Sequence, residues 1–139
     1  IETMPIGDGG RDAVEHYVDL HEVQERLDKR FGLEKAAMRG SGPARYFRVG
    51  GSALVVGFIT PQSQHFCATC NRVRLSVDGT VYLCLGQEDK IELRPLLRAG
   101  ANLDDIKQAI IAGVMRKPER HEFTVNPDQI HRPMSALGG

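Results

Sequence analysis

Residues 65–86 read HFCATCNRVRLSVDGTVYLCLG, and the register of the hairpin inside this stretch decides how the chain is laid out. Asp78-Gly79 is a turn signal between two alternating runs, 72–76 and 80–85. A two-residue turn would set Cys84 opposite Val73 and mix apolar with polar side chains on both faces. A three-residue loop of Val77, Asp78 and Gly79, with Gly79 as the left-handed bulge residue, pairs Ser76 with Thr80 and Arg72 with Cys84. Val73, Leu75, Val81 and Leu83 then share one face, and Arg72, Arg74, Ser76, Thr80, Tyr82 and Cys84 share the other. A slip of one residue would move every side chain across the sheet, so the clean separation selects the longer loop.

The same stretch carries the chemistry. Cys67 and Cys70 are two residues apart, close enough for one tight loop to present both sulfurs, and Cys84 returns from the far side of the hairpin. A cubane iron–sulfur cluster takes one ligand per iron, so three thiolates leave one iron open to an exogenous ligand. A Cys₃His zinc centre would use the same thiolates, with His65 nearby and His121 or His131 farther along as the fourth ligand. Spacing leaves both open. Two guanidiniums on the face of the third thiol make a clamp for phosphate or nucleotide, and equally a pair of solvated strand arginines.

Upstream, Asp19 followed by Glu22 is a helix capping signal, and Leu20, Val23, Leu27 and Phe31 repeat at helical spacing up to Gly32. Runs 44–49 and 53–59, joined through Gly50 and Gly51, read as a first hairpin. Downstream, Pro95 near the start and Gly100 just past the end bound a short helix. Asn102 caps a longer one whose Leu103, Ile106, Ile110 and Val114 form an apolar stripe, with Arg116 and Lys117 at its end and Pro118 beyond. Both stripes are expected to be core faces. IETMPIG, residues 1–7, reads as the end of a buried strand running into a Gly-rich loop, so the sequence reads as a fragment that begins mid-fold.

The chain has 139 residues, one domain's worth, and its 18 basic and 18 acidic side chains cancel. No global field therefore draws it to nucleic acid or to an anionic membrane, and any anion site must be local. No apolar run reaches the ~20 residues of a membrane span. Three cysteines, two of them in a CATC pair, suit a metal site or reduced thiols better than a disulfide framework, which points to the cytoplasm.

FCxxCNRxRL followed by an Asp-Gly turn and a third cysteine resembles the GTP 3',8-cyclase family, radical enzymes of molybdenum cofactor biosynthesis. IETMPIG, LRPLLRAG (93–100), KPERHEF (117–123) and the terminal MSALGG extend the resemblance along the chain. It implies an α+β fold: residues 1–17 end a radical S-adenosylmethionine (β/α) barrel and its loop. Residues 18–118 would form an antiparallel-sheet iron–sulfur domain with flanking helices, and 119–139 an extended tail. It further implies that Cys67, Cys70 and Cys84 hold a 4Fe-4S cluster whose open iron binds the guanine of GTP. Arg72, Val73 and Arg74 would contact GTP, and Met4 would lie near S-adenosylmethionine. Gly138 and Gly139 would reach the active site and support turnover.

The implied reaction abstracts a hydrogen from the GTP ribose and joins that sugar carbon to C8 of guanine, giving 3',8-cyclo-7,8-dihydroguanosine triphosphate. The CxxxCxxC motif of the barrel's own 4Fe-4S cluster is absent, so this chain by itself is expected to be inactive and to need the barrel as its partner. A homodimer is compatible with the resemblance. Two further classes fit the cysteines: an auxiliary cluster module that relays electrons, and a zinc-stabilised binding domain.

Overall fold

A computed structural model gives the architecture of residues 1–40, 42–64, 66–125 and 130–137, with only the backbone of Asp8, Arg11 and Ala13. Gly79 sits at φ +82°, the left-handed conformation that a glycine adopts without a Cβ clash, and it closes the central hairpin as the register argument expects. The Ser76 N–H donates to the Thr80 carbonyl at 2.9 Å, and the Gly79 N–H donates back to Ser76 at 3.1 Å. Strands β4 (Arg74–Leu75) and β5 (Thr80–Tyr82) pair Arg74 with Tyr82 and Leu75 with Val81. The ladder ends at Arg74, so the expected pairing of Arg72 with Cys84 is not part of it.

Two antiparallel three-stranded sheets organise the chain. The first has the order β1 (Leu33–Ala36), β2 (Arg45–Val49), β3 (Val55–Phe58), and the second the order β4, β5, β6 (Lys90–Glu92). The β2–β3 hairpin is the one expected from sequence, and Phe47 packs edge-on to Phe58 at 5.7 Å to give the first sheet its apolar contact. Strands β1 and β6 were not expected. LEKA contains no β-branched residue, and only its pairing with β2, from Leu33 against Val49 to Ala36 against Tyr46, makes it a strand.

The helices are α1 (Gly7–Val14), α2 (Leu20–Phe31), α3 (Leu93–Arg98) and α4 (Leu103–Val114). The Asp19 carboxylate caps α2 by accepting from the His21 N–H at 2.8 Å. Asn102 and Asp105 form a reciprocal capping box on α4. Helix α1 replaces the loop expected after Gly7. Its glycines are poor helix formers, but a Cβ on Gly10 would sit 2.6 Å from the Met4 carbonyl oxygen, so glycine is what lets the helix lie against residues 4–5.

The expected core stripe of α4 is corrected in the same way. Leu103 is 82% exposed and Val114 44%, whereas Gly113 is buried because a Cβ there would lie 2.1 Å from Ile91 Cδ1. Gly113 and the partly buried Ala109 make the close helix-to-sheet contact, and Ile106 is the half-buried member of the expected stripe. Helix α2 likewise has no buried residue.

Two apolar clusters flank the hairpin. Val81, Leu83 and Ile91 pack with Leu93 and Ala109, while Ile6, Phe123 and Ile130 pack with Met4, Leu85 and Met134. The second cluster joins the first residues of the chain to its last. Ile130 is 1% exposed and Leu137 3%, and the Gly7 N–H donates to the Ile130 carbonyl at 2.9 Å. Burying one such side chain stabilises by about 1.5–3 kcal/mol, so the described part of the tail is an anchored layer. Residues 1–6 form no β-ladder among the described residues, although the Glu2 N–H donates to the Ile59 carbonyl at 3.0 Å. Gly138 and Gly139 lie outside the described residues, as does His65.

Candidate functional site

Cys67–Thr69 form a single 3₁₀ turn, closed by the Cys70 N–H donating to the Cys67 carbonyl at 3.0 Å. The Thr69 hydroxyl and N–H both donate to the Phe66 carbonyl at 3.2 Å. One turn therefore carries two thiols, as the two-residue spacing requires. The third thiol follows β5 on the loop that leads to β6. All three cysteines are free and half-buried.

They open on one cavity of about 300 Å³. Arg72, Val73 and Arg74 line it, and so does Met4. Every described side chain expected at the site is thus on one wall or another of a single space. Val73 reaches it although strand alternation assigned it to the other face, because the ladder covers only Arg74 and Leu75. Arg72 also lies over the Phe66 ring, 6.0 Å from its centroid.

Burial pushes the Cys84 thiol above its ordinary pKa. The Gly86 N–H and the Lys117 ammonium act the other way, and Cys67 and Cys70 add to the upward push. Among the described residues no three His, Cys, Asp or Glu side chains close on a single point tightly enough to grip one metal ion.

Two cavity residues, Lys117 and His121, and one beside the cavity, Arg132, make contacts that sequence did not foretell. Lys117 turns back from the end of α4, and its Nζ donates to the Leu83 carbonyl at 2.6 Å. His121 stacks on Phe123 at 4.3 Å, with Nε2 2.6 Å from the Pro61 carbonyl oxygen. Its imidazole lines the cavity together with the three cysteines, whereas His131 is an exposed residue outside it. Beneath the cavity the Arg132 guanidinium lies over the Tyr82 ring, 4.2 Å from its centroid.

The upstream approach to the cysteine turn is held by Glu2, which is 2% exposed. Its carboxylate accepts from the Gln62 N–H at 2.8 Å and the Ser63 N–H at 3.0 Å. It also accepts from the Ser63 hydroxyl and, at 3.4 Å, from the Leu20 N–H. Burial alone would raise its pKa, but these donors outweigh it and hold the carboxyl below its ordinary value.

The sequence profile of the Molybdenum Cofactor Synthesis C family matches residues 1–123, and the chain belongs to that family. Among curated relatives it is 42% identical over 144 residues to the GTP 3',8-cyclase of Paracoccus denitrificans, a match covering 100% of this chain and 42% of that protein. The GTP 3',8-cyclases of Sinorhizobium medicae and Mesorhizobium japonicum are 42% and 40% identical over 143 residues, and the match again covers all of this chain. The chain spans about two-fifths of the length of these relatives, 41–43%. Among the described residues no helix is long and apolar enough to cross a membrane.

Proposed function

We propose that this chain is the substrate-holding part of a GTP 3',8-cyclase. One observation carries the reading: the three thiols, Arg72, Arg74 and Met4 all line one cavity. The donor set fits a cluster, since three free thiols from a 3₁₀ turn and a hairpin loop supply soft ligands to an object larger than a single ion. Cys67, Cys70 and Cys84 would hold a 4Fe-4S cluster. When bound, it supplies an open iron as an anchor for the purine, while a second cluster and S-adenosylmethionine in a preceding barrel supply the radical.

The chain's own residues do the holding. Arg72 and Arg74 offer planar forks to a triphosphate, and such charge-assisted bonds are about twice as strong as neutral ones. Val73, Phe66 and Phe123 give the cavity apolar walls that exclude water from the charged contacts. Met4 would face S-adenosylmethionine from the opening segment, and residues 1–17 would complete the barrel. Gly138 and Gly139, at the end of the tail, would reach toward the substrate. Fixing GTP in one orientation is the contribution to rate, because positioned reactants avoid several kcal/mol of the barrier. Reduced thiols at the centre suit the cytoplasm.

The test is the Arg72→Ala, Arg74→Ala double variant of the intact protein after anaerobic reconstitution. GTP should bind roughly 100-fold more weakly, since two charge-assisted bonds are worth about 3 kcal/mol, with iron and sulfide content unchanged. Unaltered GTP affinity would refute the clamp. Stoichiometric zinc in place of iron and sulfide would refute the cluster.

A further inference from the structure

Arg132 is a heavily engaged side chain beside the site, and nothing in the substrate reading uses it. Its side chain is only 9% exposed. Nη2 donates to three carbonyls of a single loop: Cys84 at 3.1 Å, Leu85 at 3.0 Å and Gln87 at 2.6 Å. Nη1 donates to the Glu88 carboxylate, and the guanidinium plane rests on Tyr82. The loop lies between β5 and β6, outside both ladders. Among the described residues the buried Nε has no partner. The loop carbonyls and Glu88 therefore dictate how the guanidinium is turned, at the expense of one of its own donors.

We propose that Arg132 is a positioning residue for Cys84: it gathers the carbonyls of residues 84, 85 and 87 around one nitrogen and so aims the third thiol into the cavity. What Cys84 then binds rests on the cyclase reading, but the positioning does not. A plain tail anchor is the competing account. It is disfavoured because the tail is already held by the Gly7–Ile130 hydrogen bond and by burial of Ile130 and Leu137. Removing Arg132 should therefore free the loop before it frees the tail.

The experiment compares wild type, Arg132→Gln and Arg132→Lys in the intact protein, reduced and stripped of metal, by mass-spectrometric rates of iodoacetamide alkylation at each cysteine. Cys84 should react roughly tenfold faster in Arg132→Gln and by a smaller factor in Arg132→Lys, while Cys67 and Cys70 stay within about twofold of wild type. An unchanged Cys84 rate overturns the proposal. So does a rise at all three cysteines together in the lysine variant, the one that decides the matter if the glutamine variant fails to fold. Iron release to a chelator, measured after reconstitution, should also be faster in Arg132→Lys than in wild type. Should the wild type take up no iron and sulfide, the cluster reading fails, and a selective rise at Cys84 still upholds Arg132.

Discussion

Replacing Glu2 with glutamine isolates the charge of the carboxylate that straps the opening segment to the approach to the cysteine turn. The amide is isosteric and can rotate so that its oxygen still faces the Gln62 and Ser63 N–H groups, now 2.8 and 3.0 Å from the carboxylate. Its NH₂ then faces the Ser63 and Tyr17 hydroxyls, which can turn to accept, and the Leu20 N–H, which cannot. Two charge-assisted bonds become neutral, a loss of about 1 kcal/mol each. Relief of the buried charge offsets the loss of the long Leu20 hydrogen bond, so the net cost is about 2 kcal/mol. For a chain of this size each kcal/mol moves Tm by ~3 °C, which gives a drop of about 6 °C at pH 7.

The sign of the pH dependence follows from the depressed carboxyl. Its stabilisation is present above the unfolded value of about 4.3 and is lost as pH falls through the lower folded value. Thermal melts of both proteins by circular dichroism should therefore show a gap that narrows below about pH 4.3 and closes once wild-type Glu2 is protonated. A gap under ~1 °C at pH 7, or one that persists unchanged at pH 3, would refute the strap.

Gly79→Ala should destabilise by about 1–2 kcal/mol, because φ is +82° and the new Cβ would lie 3.3 Å from Arg94 Cβ. Its urea midpoint should fall, and that of Gly79→Asn should fall less; equal midpoints for all three proteins would contradict the bulge. Gly86→Ala should cost about 1–3 kcal/mol by overpacking, since its Cβ would come within 2.6 Å of Phe123 Cε1 and 2.7 Å of His121 Cβ. Limited proteolysis should then cut the tail after Phe123 sooner than in wild type, and an unchanged cleavage pattern would count against that packing.

What sequence makes legible is local or strictly periodic. The hairpin register could be read because alternation at 72–76 and 80–85 tolerates only one loop length, and the caps at Asp19 and Asn102 because they act within two or three residues. Strand β6 is three residues long and carries too little pattern to read, and α1 looks like a loop because its glycines serve contact with residues 4–5 instead of propensity. The face of α4 was misread because hydrophobicity says which side chains could pack, whereas Gly113 decides how closely Ile91 can approach. At the site, the CATC spacing and the register brought the thiols and arginines together. Arg132 escaped notice, and the contacts of Lys117 and His121 were not foreseen, since each binds backbone carbonyls 34 to 60 residues away and no motif announces such a contact.

Those distant contacts give the two sides of the cavity different supports, although the cluster of Ile6, Phe123 and Ile130 also packs them together through Met4 and Leu85. Cys67 and Cys70 sit on a turn whose approach is tied to the opening segment through Glu2. Cys84 sits on a loop held by Lys117 on its β5 side and by Arg132 from the tail. Among the described residues the short β4–β5 ladder also runs between the two sides, and its Arg74 and Tyr82 both line the cavity. A ligand held by all three cysteines would bridge the two sides and stabilise each through the other, because it binds only when both are formed. Its binding would in that way add to the coupling that the Ile6, Phe123 and Ile130 cluster and the Gly7–Ile130 hydrogen bond already give between the opening segment and the tail.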